Sequence, residues 1–231
     1  MATSGKRLTR KELRRPDWFQ TTTENAFELY EANRAKILFG GAAVIALLLA
    51  IWSWQMFKER QDAIAAQEFG QATALYHVGK YREALSALEK IKAYRWSRYA
   101  NLSHLYEAHS YAALNDLTKA ASAAQRFVVG TEQNSLMRQI GLLTLASVEE
   151  RKSLCKEAIG HYSEAEKIKS AFTEGAFLGR ARCSVQTGDI KGAIAAYQQF
   201  LKDQQSSSVN AYLRLLIAEL ESKLATAPSQ K

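Results

Sequence analysis

The sequence predicts an all-α chain: one N-terminal transmembrane helix, then an α-solenoid of about four helix hairpins closed by a C-terminal capping helix. Three observations carry this. Residues 37–57 form a 21-residue run without a charge. The only prolines are Pro16 and Pro228, so nothing in between forces a break in a helix. From residue 72 onward, a pattern of small, turn and apolar positions recurs four times.

The uncharged run reads ILFGGAAVIALLLAIWSWQMF. At 1.5 Å of rise per residue it spans about 31 Å, the thickness of a hydrocarbon core. Arg34 and Lys36 close one side, Lys58 and Arg60 the other, and Trp52 and Trp54 stand near the far end, where indoles favour the lipid–water interface. A core helix of a soluble protein would carry a charge on one face over this length. A cleaved leader would have a short basic head, about 7–15 apolar residues and small residues at the cut. Here the head is 36 residues long, and the run ends in the bulky Trp54-Gln55-Met56-Phe57-Lys58. An uncleaved anchor is the better expectation.

Charge predicts its orientation. Residues 1–36 hold eight Lys/Arg, whereas residues 58–77 hold only Lys58 and Arg60. The positive-inside rule places the head in the cytoplasm and everything after Phe57 across the membrane. In a Gram-negative bacterium, this is an inner-membrane protein with its N-terminus cytoplasmic and its repeat domain periplasmic. The expected divisions are a basic cytoplasmic head with a juxtamembrane helix (1–36), the transmembrane helix (37–57), the repeat domain (58–224) and a tail (225–231). Within the head, Thr21-x-x-Glu24 has the form of a capping box and predicts a helix start there.

The net charge of +8 is uneven: residues 61–231 hold 21 Lys/Arg against 17 Asp/Glu. A domain so nearly neutral argues against nucleic acid as a partner. Trp96 between Arg95 and Arg98 therefore reads as solvated surface rather than a base-stacking site. Apolar residues make up 47% of the chain, enough to build a core and to argue against global disorder.

The repeated pattern is a small residue, a turn residue seven later, an apolar residue nine later and a second small residue twelve later. It is met by Ala72-Gly79-Tyr81-Ala84, Ala108-Asn115-Leu117-Ala120, Ala146-Ser153-Cys155-Ala158 and Ala181-Gly188-Ile190-Ala193, followed by Ile91, Phe127, Ala165 and Phe200 seven residues on. This is the logic of a helix hairpin. The alanines sit where helix A and helix B cross, the Gly, Asn or Ser takes the turn, and the apolar residue opens helix B. Ala84 is expected at a crossing and Ala87 off it. The third copy is the weakest, with Glu149 where a large apolar residue is expected. Residues 208–224 predict an amphipathic cap with an apolar face of Tyr212, Leu215, Leu216 and Leu220.

The second alanines are 36, 38 and 35 residues apart. This resembles the tetratricopeptide repeat, whose period is 34 residues. The first copy carries that family's G-K-Y-x-x-A core at Gly79-Lys80-Tyr81 and Ala84, and the fourth, Thr187-Gly188-Asp189-Ile190-Lys191-Gly192-Ala193, is close to it. The family's helix-A Trp and terminal Pro are absent, and the longer period implies longer turns, for example around Gly130-Thr131-Glu132-Gln133. The resemblance implies an inner face lined by the A helices, with Phe69, Tyr76, His77, His109, Arg151 and Arg182 as the candidate partner-binding groove. Its ligands would be proteins or extended polypeptides.

Catalytic motifs are missing. The four histidines include His104 and His109, five apart rather than the three or four that would share a helix face. No H-E-x-x-H, G-x-S-x-G, Walker A or G-x-G-x-x-G occurs. No enzymatic activity, cofactor, metal or small-molecule substrate is expected. Cys155 and Cys183 fall on successive helices. They can pack as small apolar residues, the favoured reading, or pair by oxidation in an exported domain.

In layout, the basic head, single span and exported repeats together resemble the ancillary-subunit family of the bacterial SecYEG translocon. That resemblance implies an accessory role at the translocon, assisting newly exported proteins or handing them on, with translocon subunits as partners. A cell-envelope scaffold that coordinates division or wall synthesis is the alternative. A membrane import receptor would show the reverse charge order.

Overall fold

The structure, a computed structural model, describes residues 18–203 and 209–226. The described residues form helices without strands: α1 (Trp18–His77), α2 (Tyr81–Ile91), α3 (Arg98–Ala113), α4 (Leu117–Val129), α5 (Leu136–Arg151), α6 (Cys155–Glu166), α7 (Thr173–Gln186), α8 (Ile190–Asp203) and α9 (Asn210–Thr226). The chain divides into two compact units, Met1–Phe57 and Lys58–Lys231.

In the first unit, α1 is already helical at Trp18. Thr21 therefore lies inside the helix, and the expected capping box does not start it. No residue between Asp17 and Thr21 opposes helix, so the helix extends past the local signal. Most of residues 1–20 and the tail from residue 227 lie outside the described residues. The Asn33–His77 stretch contains an 18-residue window of mean hydropathy 2.2, none of it buried. It is long and apolar enough to cross a membrane, and no other helix among the described residues is.

The second unit is a tetratricopeptide-like α-solenoid. Its four hairpins pair the end of α1 with α2, α3 with α4, α5 with α6 and α7 with α8, and α9 covers the last. The repeat phase read from the sequence holds at every copy. All eight alanines of the pattern are fully buried. Tyr81, Leu117, Cys155 and Ile190 are the first residues of their B helices. The turn residues have positive φ: 77° at Gly79, 62° at Asn115, 61° at Ser153 and 86° at Gly188. Each turn is closed by the same backbone bond, from Lys80 N to Leu75 O, Asp116 N to Tyr111 O, Leu154 N to Glu149 O and Asp189 N to Ser184 O, at 2.9–3.0 Å. This is the six-to-one bond of a helix end that turns through the left-handed region.

Three expectations are corrected. Ala87 is not off the crossing; it is partly buried against the cluster that holds Leu88 and Ile91. In α9 the buried residues are Leu213, Ile217 and Leu220, while Tyr212 and Leu215 are 64% and 73% exposed. Tyr197 and Phe200 of α8 share their cluster with Leu213 and Ile217, and so select that face of the helix. Cys155 and Cys183 form a disulfide, with Cα atoms 5.0 Å apart. The crossing of α6 over α7 brings the two positions together, so they are not separate packing residues.

The weak third repeat has a polar substitute for the missing apolar residue. Glu149 lies 2.7 Å from His161 Nδ1 on α6, and the neighbouring Glu150 accepts from Tyr162 Oη at 2.8 Å. Carboxylates on one helix, met by a ring nitrogen and a phenol on the other, replace a hydrophobic contact across the hairpin.

Candidate functional site

The A helices form one face of the second unit. α3 packs directly on α5, and α5 on α7, whereas no such pairing joins α2, α4, α6 and α8 among the described residues. Helices on the inner side of a solenoid approach one another more closely than those outside, so the A-helix face is the inner one.

All six candidate groove residues lie on these helices: Phe69, Tyr76 and His77 on α1, His109 on α3, Arg151 on α5 and Arg182 on α7. At the first two hairpins the face is aromatic. Phe69 packs against Tyr99 and Tyr106, with ring centroids 5.3 and 5.2 Å apart. Tyr76 meets Tyr106 edge-on at 5.4 Å and Tyr81 at 5.6 Å. Such edge-to-face pairs contribute about 0.5–1.5 kcal/mol beyond area burial. Burial, then the neighbouring Tyr81 and Tyr106, pushes the Tyr76 phenol above its ordinary pKa. His77 touches the Tyr76 ring and is otherwise exposed.

Further along, the face becomes polar. His109 Nε2 lies 3.2 Å from Thr144 Oγ1 on α5, and burial lowers its pKa, which favours the neutral imidazole. Arg151 donates to Ala112 O at 3.1 Å and Asn115 Oδ1 at 3.3 Å, both at the end of α3. Arg182 grips Glu150 on α5. Thus Phe69, Tyr76, His109, Arg151 and Arg182 each reach a neighbouring A helix and act as rungs between repeats. Exposed edges of Tyr76, His77, His109 and Arg151 remain for a ligand.

Sequence reasoning missed two acidic residues that organise this region. Glu150 occupies the register position of Tyr76, four residues past the helix-A alanine, and so could have been found by aligning the repeats. Glu107 is the other. Its carboxylate is 2% exposed and lies 2.7 Å from Lys92 Nζ, 2.9 Å from His104 Nδ1 and 3.7 Å from Arg126 Nη2. It ties α3 to the end of α2 and to α4. Among the described residues, no group of three or more His, Cys, Asp or Glu is placed to hold a metal.

Stacked hairpins with an aromatic and polar inner face define a helical-repeat module for protein interaction, a class whose members are typically scaffolds rather than enzymes. The chain belongs to the tetratricopeptide repeat-like domain family, which matches residues 28–222. Solved relatives in fold include the nearly identical TPR-like repeats of a putative kinesin light chain from Podosopora anserina and a single-substitution variant of the same repeats. Each has a TM-score of 0.60 at 14% identity and covers 72% of this chain and 89% of its own. At that identity the likeness shows the fold alone. No curated protein matches the sequence.

Proposed function

We propose that the chain is a single-pass inner-membrane protein whose exported repeat domain binds extended segments of newly exported proteins on its A-helix face, as an accessory of the Sec translocon. The observation that carries the reading is the buried Cys155–Cys183 disulfide in the unit that follows the apolar run. Disulfides persist in oxidising compartments such as the periplasm. The eight basic residues ahead of the run and two after it favour the same topology independently. The family match spans residues 28–222 and so takes in the apolar run as well as the repeats. The reading gives the chain no catalytic step.

The test has two parts. A reporter active only outside the cytoplasm, fused after Lys231, is expected to be active, and a cytoplasm-only reporter silent. In-cell cross-linking from the A-helix face, with partners identified by mass, is expected to capture translocon subunits and nascent exported chains. Capture of division or wall-synthesis proteins alone, with no translocon component, replaces this reading with that of an envelope scaffold. An active cytoplasmic reporter overturns the topology.

A further inference from the structure

The repeat unit has two edges. One carries the turns inside each hairpin. The other carries the connections between hairpins, 92–98, 129–137 and 166–173. Bonds run along this second edge: Asp62 Oδ1 accepts from Arg98 N at 3.2 Å, Asn101 donates to Phe127 O at 3.4 Å, and Arg138 donates to Val128 O at 3.2 Å and to Glu164 at 2.6 Å.

The two edges differ in chemistry. Along the connections, Trp96, Val129, Leu136, Met137 and Phe172 are 44–75% exposed. Exposed Arg95, Arg98, Lys167 and Lys169 are interleaved with them. The connections hold five basic residues against two acidic; with Glu166 paired to Arg180, Lys92 to Glu89 and Glu107, and Arg98 to Asp62, the balance outside these pairs is Arg95, Lys167 and Lys169 against Glu132. The turns of the other edge (78–80, 114–116, 152–154 and 187–189) hold two Lys and two Asp, and their exposed apolar residues, Val78, Leu114 and Leu154, are aliphatic. An apolar groove of about 500 Å³ opens on the connection edge beside Leu102, Phe127 and Met137.

Aromatic rings beside guanidinium and ammonium groups settle at the boundary between headgroups and acyl chains, and anionic lipids attract each nearby cation. A protein partner would more readily select one contiguous apolar patch. Here the apolar residues are spread over three connections with cations between them. The chain also tethers this edge. Asp62 is five residues past Phe57, a covalent reach of at most about 18 Å, which raises the local concentration of any surface at the end of the span.

We propose that the connection edge rests on the surface of an anionic phospholipid bilayer, inserting Trp96, Leu136, Met137 and Phe172 at the headgroup level. The proposal rests on the reading that residues 37–57 span that bilayer.

The full chain, reconstituted in phosphatidylethanolamine–phosphatidylglycerol bilayers, tests this with a photo-crosslinking amino acid placed singly at Trp96, Leu136 or Phe172, at Val78 or Leu154, and at Leu48 within the span. Lipid adducts are expected at Leu48 and at the three connection positions, severalfold above Val78 and Leu154. Replacing phosphatidylglycerol with phosphatidylcholine is expected to reduce the connection adducts severalfold and leave Leu48 unchanged. Adducts at Leu48 with equal yields on the two edges overturn the proposal and leave the anchor standing. No adduct at Leu48 overturns the anchor and the proposal with it. Connection adducts insensitive to anionic lipid overturn the electrostatic docking. In native membranes, cross-links from these positions to a protein, with none to lipid in the bilayer, assign the edge to a protein interface instead.

Discussion

Arg182 on α7 holds Glu150 on α5 through two parallel hydrogen bonds, Nε to Oε1 and Nη2 to Oε2, both 3.0 Å long. The fork geometry matches a guanidinium to a carboxylate, and Tyr162 of α6 adds a third bond to the same group. The pair joins the third and fourth repeats across the inner face, so a groove residue is also a structural one. Arg182→Gln is expected to lower stability by about 1 kcal/mol, discounted because the Arg182 side chain is half exposed. Arg151→Gln, which loses bonds only at an exposed turn, is expected to cost about 0.5 kcal/mol or less. Thermal melts of both variants beside peptide-binding isotherms separate the roles. A binding loss in Arg151→Gln at unchanged melting temperature marks the groove, whereas equal stability losses in the two variants refute the structural difference.

Two hydrogen-bonded networks, one buried around Glu107 and one part-exposed at His161, give stability opposite slopes with pH. Burial alone would raise the pKa of Glu107, but hydrogen bonds from His104 and Lys92 overcome it and hold the group below its ordinary value of 4.5. A lowered carboxylate stabilises the fold above the unfolded-state value, and that contribution is lost as pH falls through the folded-state value. Glu107→Gln is therefore expected to flatten the loss of stability below pH 4.5, and to cost about 1–2 kcal/mol near neutrality by weakening the bonds to His104 and Lys92, the latter keeping its partner Glu89. His161 behaves in reverse. Its hydrogen bond to Glu149 outweighs burial and raises its pKa above 6.5. Its contribution is complete below pH 6.5 and disappears as pH rises through the folded-state value. His161→Gln is expected to remove that alkaline decline. Denaturant melts across pH check both, and unchanged limbs in the variants count against these assignments.

The parts of the fold legible in the sequence are those where a position admits few residue types. A crossing that excludes all but a small side chain marks itself with alanine, and a turn at positive φ marks itself with Gly79, Asn115 and Gly188. Features that depend on a partner from another element were less legible. In α9, apolar residues at 212, 213, 215, 216, 217 and 220 offer two overlapping faces. Only the cluster around Tyr197 and Phe200 decides that Leu213 and Ile217 turn inward. The disulfide required the distance between α6 and α7. Of the candidate site, the helices and register were legible, and the position of Glu150 with them, but the roles of Glu150 and Glu107 were not. Their importance comes mainly from groups outside their own helix, Arg182 and Tyr162 for Glu150 and Lys92 and Arg126 for Glu107, which spacing along one helix does not reveal.

Ser153 occupies the turn position that glycine takes in the first and fourth hairpins, with φ of 61°. An L side chain in that region costs about 1–2 kcal/mol, and glycine relieves it at an entropic cost of about 0.5–1 kcal/mol. Ser153→Gly is expected to stabilise the repeat domain by up to about 1 kcal/mol. Gly188→Ala, its converse at φ 86°, is expected to destabilise by about the same amount. A chemical melt reads both, and a destabilised Ser153→Gly variant means that the serine contributes more than its backbone.

Gly179 of α7 tests the crossing beside the disulfide. A Cβ there would lie 2.3 Å from Tyr162 Cζ, and Tyr162 is 2% exposed with its hydroxyl bonded to Glu150. The ring cannot swing away without breaking that bond. Gly179→Ala is expected to cost about 1–3 kcal/mol by overpacking, and Gly175→Ala, where a Cβ meets open space, to be neutral or stabilising through helix propensity. Equal melting of the two variants would show that α6 and α7 are farther apart than this geometry.

The disulfide offers the test that reaches from fold to compartment. Cys155 opens α6 and Cys183 lies within α7, 28 residues apart in sequence and both buried. Closing a loop of that length restrains the unfolded chain by about 3.6 kcal/mol in the entropy model, and for a domain of this size that corresponds to about 7–14 °C in melting temperature. Reduction is expected to lower the melt by that amount, and the Cys155→Ala, Cys183→Ala double variant to melt near the reduced protein and to be indifferent to reductant. The same pair reports on location. In cells quenched with acid and then alkylated, the wild-type chain is expected to carry no alkyl group until it is reduced, and two afterwards. Two free thiols in unreduced cell material would remove the bridge from the native protein, and with it the strongest support for export. An oxidised pair combined with a silent cytoplasmic reporter after Lys231 joins fold, topology and compartment in one consistent picture.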